Sequence, residues 1–228
     1  MFKVERAQPQ RPDSEQTRRL IFDTALSLFR EKGFDTTTIR EIAATTGLSL
    51  GATYYYFPSK EAIVAAYYEH VQQQHRERAA AALASSPTLK ERLRAAYHTK
   101  LDVMQDDQRL LRALFRYGGD PEHPLSWFGP GSRAQRQASI EVFEKAIEGE
   151  RLPDDVRAAA PLLLWTLHMG VLLYFLYDSS ARVQRTRRLV DAAVDFVIDA
   201  KRIATLPLMR PVRRRVLTIL QDAGLMPA

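Results

Sequence analysis

The chain has 228 residues, of which 46% are hydrophobic and 26% charged, and this composition is typical of a globular protein rather than of a disordered or fibrous one. It contains no cysteine, which excludes disulfide frameworks, thiolate metal centres, iron–sulfur clusters and cysteine nucleophiles. The formal charge of +6 points to an anionic partner. This charge is not spread evenly: residues 61–200 hold 18 Lys and Arg against 19 Asp and Glu, and residues 201–228 hold 6 against 1.

The beginning of the chain predicts a flexible arm followed by a helix. Residues 1–12 combine prolines, glutamines and basic residues without periodicity, and they lack the apolar segment of a signal peptide, so we expect a cytoplasmic protein. A helix is expected from Asp13, which can cap its N-terminus, to Gly33, which ends it. Its apolar stripe consists of Ile21, Ala25, Leu28 and Phe29.

Two short helices are predicted next, joined by a tight turn. Thr38 can cap the first of them, and Glu41 lies at capping-box spacing. Gly47 suits the turn because glycine accepts a positive φ. Ser49 can cap the second short helix, which Pro58 cannot continue. Two short helices that rest on a longer one have the geometry of a helix-turn-helix.

The residue types around this turn suit DNA contact. Ala43 and Gly51 are small, as expected where the two short helices approach each other closely. Lys60 begins the next helix, where its charge and the free backbone N–H groups could hold a phosphate. Hydroxyl groups and amphipathic rings that can touch phosphates and base edges follow the turn: Ser49, Thr53, Tyr54, Tyr55 and Tyr56.

Every further element that the pattern predicts is also helical, so the expected fold class is all-α. A long helix is capped by Ser59 and reaches the alanines at 79–82, and a Gly- and Pro-rich loop covers residues 118–131. The other predicted helices cover about 89–104, 108–115, 133–148, 158–177, 183–203 and 212–220. In the last of them Arg213, Arg214 and Arg215 are expected to form a solvated face.

Residues 158–177 form a stretch of 20 residues without a formal charge, long enough to span a bilayer. Pro161 and His168 within it, and flanks without a positive-inside asymmetry, argue against a membrane span. We therefore expect a helix buried in a core or a subunit interface, with membrane association as the alternative.

The run from Thr37 to Glu61 reads TTIREIAATTGLSLGATYYYFPSKE and resembles the DNA-binding signature of the TetR family of bacterial transcriptional regulators. The similarity covers about residues 18–63. It implies a helix-turn-helix domain at 13–60, and a linking helix with an effector-binding and dimerising body at 61–228. By the same match the residues that touch DNA are Thr38, Ser49, Gly51, Thr53, Tyr54, Tyr55, Tyr56 and Lys60.

Two positions depart from the family pattern. Thr53 stands where a larger apolar residue is common, so core packing and groove contact remain alternatives for it. Tyr56 stands where histidine is common, and its hydroxyl should keep a phosphate contact.

The resemblance also implies a homodimer that binds a palindromic operator of double-stranded DNA and represses until a small effector releases it. Dimer formation is expected through the last two long helices, about 161–177 and 183–203. The effector would be apolar or aromatic and would lie within the helical body. Residues of this type are more often ordinary core, and the candidates for lining the effector site are Tyr97, Met104, Phe115, Trp127, Phe128, Trp165, His168 and Tyr174.

Other kinds of function find little support in the pattern. An enzyme built on the body would have to use isolated residues such as His168 or Asp178, because no nucleophile–base spacing or phosphate-binding glycine loop is present. Asp120, Glu122 and His123 share a loop, but no further histidine cluster accompanies them, and we expect no metal site. No cofactor and no catalytic residue are therefore expected.

Overall fold

The computed structural model describes residues 14–120, 122–127 and 129–226, and within these ranges it contains helices and no β-strand. The chain divides into two compact units, residues 1–65 and 66–228, with the boundary inside a helix. The predicted flexible arm and the predicted Asp13 cap lie outside the described residues.

The first unit is a helix-turn-helix. Helix α1 covers Ser14–Glu31, α2 covers Ile39–Thr46 and α3 covers Leu50–Tyr56, and α4 (Lys60–Ala84) begins in this unit. The stripe predicted for α1 is buried, as are the inward residues of α2. The core of this unit consists of Ile21, Ala25, Leu26, Leu28, Phe29, Phe34, Ile39, Ile42, Ala43, Phe57, Ile63 and Val64.

Glycine and hydroxyl groups set the helix ends in this unit. Gly47 has a φ of 71°, and its N–H bonds to carbonyl oxygens of the preceding turn, so the predicted role of this glycine is confirmed. The prediction for Gly51 is wrong: a Cβ built there meets no atom within 4 Å, so helix packing does not require a glycine at that place. Ala43, in contrast, is 4% exposed and packs inside as expected.

The second unit is a helical body. It contains the rest of α4 together with α5 (Leu89–Met104), α6 (Gln108–Gly118), α7 (Arg133–Ala146), α8 (Asp154–Tyr177), α9 (Gln184–Ala204) and α10 (Arg210–Asp222). Helix α8 packs against α7, α6 and α9, and α5 packs against α7 and α9. Helices α5, α7 and α8 thus surround the centre of the body.

Asp178 fixes the connection between α8 and α9. Its carboxylate accepts hydrogen bonds from the backbone N–H and the hydroxyl of both Ser180 and Thr186, at 2.6–2.9 Å. Burial opposes ionisation of Asp178, but these four hydrogen bonds outweigh it and hold the pKa of the carboxyl well below its usual range. Asp178 therefore caps a helix, which explains its presence without catalysis.

The C-terminal helix differs from the expected solvated basic face. The guanidinium of Arg213 pairs with Asp155 at 2.9 Å and donates to the carbonyl oxygens of Ala204 and Leu206. Helix α10 packs on α8, so Arg213 lies at the contact, while Val212 and Ile219 are 52% and 56% exposed. The prediction is wrong for Arg213 because local sequence does not tell which face of a short helix meets its neighbour.

Candidate nucleic-acid interface and a buried polar cluster

Two hydroxyl groups begin the short helices of the first unit. The Oγ1 of Thr38 accepts a hydrogen bond from the N–H of Glu41, and the Oγ of Ser49 accepts one from the N–H of Ala52, each at 3.1 Å. Both side chains are exposed. Since a hydroxyl that accepts a capping bond keeps its own hydrogen, each can still donate to a phosphate oxygen.

The tyrosines of α3 project to different extents. Tyr55 is 81% exposed and Tyr54 is 48% exposed, whereas Tyr56 is partly buried. The ring of Tyr55 meets the ring of Tyr56 edge to face at 5.1 Å between centroids. Large exposed aromatic rings on a seven-residue helix cost hydrophobic free energy, so this surface suits a partner better than it suits water.

Thr53 does not belong to this surface. It is fully buried, and its Oγ1 donates to the carbonyl oxygen of Ser49 at 3.2 Å. The sequence left core packing and groove contact as alternatives, and the geometry supports core packing. Thr53 precedes Tyr55 by two residues, so the two side chains lie on opposite sides of the helix.

Lys60, for which the sequence predicts a phosphate contact, is held by groups of its own unit. Its Nζ donates to the carbonyl oxygens of Phe34 and Asp35 at 2.6 and 3.3 Å, and lies 4.5 Å from the centre of the Phe34 ring. Partial burial lowers the pKa of Lys60 from its ordinary value. The lysine thus ties the loop between α1 and α2 to the start of α4, where Ser59 caps the helix through the N–H of Ala62.

Arg40 is a candidate that sequence reasoning missed. It is exposed in the first turn of α2, two residues after the Thr38 cap, and it forms no ion pair with another described residue. Other cations of this unit are engaged: Lys32 pairs with Glu41, and the guanidinium of Arg18 lies 4.9 Å from the centre of the Phe57 ring. The sequence did contain a signal for Arg40, because this basic residue lies two positions after the predicted Thr38 cap.

In the second unit, two of the predicted effector residues meet in the interior. The rings of Tyr97 and His168 lie 5.6 Å apart, and Phe143 packs against both, at 5.1 and 5.5 Å. The hydroxyl of Tyr97 donates to the carbonyl oxygen of Leu164 at 2.9 Å. Met104 and Trp165 are also buried.

The remaining predicted effector residues lie elsewhere or apart. Phe115 and Trp127 form an edge-to-face pair at 4.8 Å, and Trp127 packs so closely on Gly118 that a Cβ there would lie 2.5 Å from its ring. Phe128 lies outside the described residues. Tyr174 is 43% exposed, so its assignment to the interior is corrected: six residues after His168, it lies on a different face of α8.

Sequence reasoning missed three polar residues that join His168. The Nζ of Lys100 donates to the Oε1 of Gln72 at 3.0 Å, and the ring of His75 lies parallel to that of His168, with centroids 6.1 Å apart. Gln72, His75, Lys100 and His168 are 7%, 0%, 7% and 1% exposed, and we call them the buried polar cluster. The sequence gives no signal for Gln72 and His75, since their neighbours in α4 are polar as well.

Burial and the charge of Lys100 keep both imidazoles of the buried polar cluster neutral. They lower the pKa of His75 to about 3 and hold the pKa of His168 well below its usual range. Burial also lowers the pKa of Lys100 to about 8, which leaves this lysine mostly charged near neutral pH.

The loop candidates for a metal have other roles. The backbone N–H of Leu125 donates to the Nδ1 of His123 at 3.1 Å, and that of Glu122 donates to the Oδ1 of Asp120 at 3.1 Å. Within the described part of the chain, no group of three or more His, Asp and Glu residues is arranged to hold a metal ion.

An exposed apolar stripe runs along α8 and continues on α9. Helix α8 is the one described helix whose length and composition would allow it to cross a membrane, yet its other face is buried in the body. The stripe residues are between 40% and 73% exposed, and they are Leu163, Leu173, Tyr174, Tyr177, Leu189, Phe196 and Ile203. Gly170 lies on the same face, where a Cβ would meet nothing within 4 Å.

Comparison with known proteins agrees with this geometry. Residues 21–67 match the family of bacterial regulatory proteins named tetR, and residues 92–213 match the tetracyclin repressor-like C-terminal domain. Among curated proteins, the uncharacterized HTH-type transcriptional regulator YuxN of Bacillus subtilis is 46% identical over 44 residues, which are 19% of this chain and 15% of YuxN. AcrR of Shigella flexneri is 37% identical over 51 residues, 22% of this chain and 24% of AcrR. The matched segment therefore spans less than a quarter of either relative.

Solved structures resemble the chain over most of its length. A TetR transcriptional regulator from Nitrosomonas europaea has a TM-score of 0.64 at 19% identity, covering 79% of this chain and 96% of that one. FadR of Thermus thermophilus, a TetR family repressor solved with lauroyl-CoA, has a TM-score of 0.56 at 24% identity, covering 76% and 92%. At these identities the likeness concerns the fold. One family match covers the helix-turn-helix, and the other lies in the body and covers more than half of the whole chain. Together they show that the chain belongs to the TetR family of DNA-binding transcriptional regulators and is not an enzyme.

Proposed function

We propose that this protein is a cytoplasmic repressor that binds a palindromic operator as a homodimer and is released from it by a small ligand bound in the helical body. The observation that carries the proposal is the exposed face of α3, where Tyr54 and Tyr55 project beside the Ser49 cap. A helix that presents rings and hydroxyls just after a tight turn is suited to the major groove.

Each group on this face has a distinct task in the proposal. The hydroxyls of Thr38 and Ser49 donate to phosphates and set the register of the protein on the duplex. Tyr55, the most exposed ring, touches base edges, and Tyr54 and Tyr56 reach the backbone with their hydroxyls. Gly51 leaves open space on the outer face of α3, which lets a phosphate or a base approach the helix backbone.

Charge contributes little to specificity in this arrangement. Residues 1–60 hold 9 Lys and Arg against 7 Asp and Glu, and two of these cations are held by Glu41 and by loop carbonyls. Arg40 remains as the exposed cation beside the Thr38 cap. Binding should therefore depend on few phosphate contacts per protomer, with a correspondingly shallow salt dependence.

The apolar stripe of α8 and α9 supports the homodimer. An isologous contact of this stripe with its copy would form a four-helix interface and remove Tyr177 and Phe196, at 64% and 73% exposure, from water. Gly170 would allow the two α8 helices to approach each other. A two-fold dimer presents two α3 helices, and a palindromic operator follows from that symmetry.

The decisive experiment is selection of bound duplexes from a random pool by the full-length protein. We expect a two-fold symmetric consensus whose half-sites are about one helical turn apart. Tyr55→Ala should relax the consensus at specific bases, and Arg40→Ala should weaken binding to all duplexes alike. Enrichment of no duplex over random DNA would overturn the proposal.

A further inference from the structure

The buried polar cluster is the most unusual feature of the helical body. Its four side chains come from three helices: Gln72 and His75 from α4, Lys100 from α5 and His168 from α8. All four are less than a tenth exposed, and none is needed to cap a helix or to close a loop.

Lys100 carries a buried charge without a counter-ion. Its partner is the neutral side-chain oxygen of Gln72, and it forms no ion pair with any described carboxylate. A buried ammonium group that lacks an anion is unfavourable, and buried charges in native proteins are nearly always paired, so Lys100 suits a ligand that supplies the anion.

Four further polar atoms of the cluster have no hydrogen-bond partner among the described residues. They are the Nε2 of Gln72, the Nδ1 of His75, and the Nδ1 and Nε2 of His168. Buried polar groups in native proteins are nearly always bonded, so a concentration of unbonded atoms in one place calls for a bound molecule that bonds them.

The donors and acceptors of the cluster can be assigned. The Nε2 of His75 lies 2.9 Å from the carbonyl oxygen of Ala96, which can only accept, so His75 holds its proton on Nε2 and leaves Nδ1 as an acceptor. His168, being neutral, offers one N–H donor. Lys100 and the amide nitrogen of Gln72 supply further donors, so the cluster has more donors than acceptors.

The surroundings of the cluster are apolar and aromatic. Tyr97 and Phe143 pack their rings against His168, and the hydroxyl of Tyr97 is already bonded to a backbone carbonyl. The cluster contains one cation and no arginine, so its charge matches one negative charge rather than a phosphate dianion.

We propose that Lys100, Gln72 and His168 bind the carboxylate of a small apolar molecule, which is the effector of this regulator. The carboxylate accepts from the Nζ of Lys100, the Nε2 of Gln72 and the N–H of His168, and the apolar part of the molecule packs against Tyr97 and Phe143. The inference rests on the proposed function, because it names the ligand class of the same helical body.

The test compares carboxylic acids with their own primary amides, which have nearly the same shape and no charge. Octanoate, decanoate and phenylpropionate, each with its amide, are titrated calorimetrically into the full-length protein near neutral pH. Three proteins are compared: the natural chain, Lys100→Met, and Lys145→Met as a control that removes an exposed lysine from α7.

We expect at least one acid to bind the natural chain and the control about tenfold or more tightly than its amide does. Lys100→Met should bind that acid and its amide equally. If Lys100→Met does not fold, as judged by circular dichroism, His168→Leu and Gln72→Leu replace it, and each should lower the affinity for the acid alone. The proposal is overturned if no acid binds more tightly than its amide, or if the variants keep the preference.

Operator affinity, measured in the same samples, separates this inference from the proposed function. If an acid binds through Lys100 without changing operator affinity, the carboxylate site stands and ligand-controlled repression fails. If an amide releases operator DNA as well as the acid does, from the natural chain and from Lys100→Met alike, ligand-controlled repression stands and the carboxylate site fails.

Discussion

The two units of this chain use polar side chains in opposite ways. In the first unit Thr38 and Ser49 lie at the surface, and each accepts a capping hydrogen bond from its own helix. In the second unit Lys100 and His168 are buried: among the described residues neither ring nitrogen of His168 has a hydrogen-bond partner, and the ammonium group of Lys100 donates to the neutral oxygen of Gln72 and pairs with no carboxylate. The surface hydroxyls form their capping bonds in the free protein and can still donate a hydrogen bond to DNA. The buried groups lack a hydrogen-bond partner or a counter-ion among the described residues, as expected of a ligand site.

The largest expected effect concerns dimer formation, on which the surface of the first unit depends. Phe196→Arg places a charge in the middle of the exposed stripe and should separate the protomers. Since two half-sites then bind independently, operator affinity should fall about hundredfold or more. Light scattering and fluorescence anisotropy measure the two effects. Glu144→Arg, an exposed substitution on α7, is the control, and a Phe196→Arg protein that stays dimeric would contradict the assignment of the interface.

Acid should destabilise the body through its buried histidines. Burial and Lys100 lower the folded-state pKa of His75 from 6.5 to about 3, so the unfolded chain binds a proton below pH 6.5 that the folded protein does not. Stability is therefore present above pH 6.5 and is lost as the pH falls, and His75 alone should cost about 2 kcal/mol between pH 7 and 5. His168 acts in the same direction.

Urea unfolding at pH 7 and pH 5 measures this loss. His75→Gln should reduce it, and a further His168→Gln substitution should reduce it again. A substitution of the exposed His70 by Gln serves as the control and should leave the loss as it is in the natural chain. An equal loss in the double variant would contradict the view that these two imidazoles are buried and neutral.

The charge of Lys100 should cost stability in the absence of ligand. Burial lowers its pKa from 10.5 to about 8, so the folded state is at a disadvantage below pH 8 and recovers as the pH rises toward 10.5. Lys100→Met should therefore raise the free energy of unfolding at pH 7 by about 1–3 kcal/mol, and by less at pH 10. Urea unfolding at both pH values checks this, and a loss of stability at pH 7 would mean that the lysine is structural.

Tyr55 should matter for sequence preference. Tyr55→Ala is expected to lower affinity for the selected operator about tenfold while affinity for random duplex changes little, because a base-edge contact contributes only to specific binding. Tyr55→Phe keeps the ring and removes the hydroxyl, and it separates apolar contact from hydrogen bonding. Equal losses on both duplexes would make Tyr55 a backbone contact instead.

The smallest expected effect is that of a substitution at Thr53, which tests whether this side chain packs in the core or contacts the DNA groove. Thr53→Val removes the hydroxyl that bonds to the carbonyl of Ser49, and it should lower the free energy of unfolding by about 1 kcal/mol. Operator affinity measured on folded protein should remain unchanged, since the side chain is fully buried. A clear loss of operator affinity without a loss of stability would return Thr53 to the DNA-binding surface.

The same contrast explains what could be predicted from the sequence. Caps and turns depend on neighbours three or four residues away, so Thr38, Ser49 and Gly47 were predictable from local pattern alone. Burial depends on distant segments. For this reason the sequence left core packing and groove contact open for Thr53, and it predicted a phosphate contact for Lys60, which instead reaches back to the carbonyl oxygens of Phe34 and Asp35.

The helices of the body could be predicted from the sequence, but the residues that form its buried polar cluster could not. Its helices follow the apolar spacing, and Tyr97 and His168 were correctly expected in the interior. Their polar companions could not be foreseen, because Gln72, His75 and Lys100 lie on helices whose packing brings together residues far apart in the chain. The exposure of Tyr174 could not be predicted either, since a uniformly apolar α8 does not reveal which of its faces meets the body.

Ligand binding in the second unit should control DNA binding by the first. Operator DNA bound to the natural dimer is titrated with the tightest-binding carboxylate, and its anisotropy is compared with that of Lys100→Met under the same titration. We expect the natural protein to release its operator while Lys100→Met remains bound at the same ligand concentrations. Release of both proteins at equal concentrations, or of neither, would contradict this expectation.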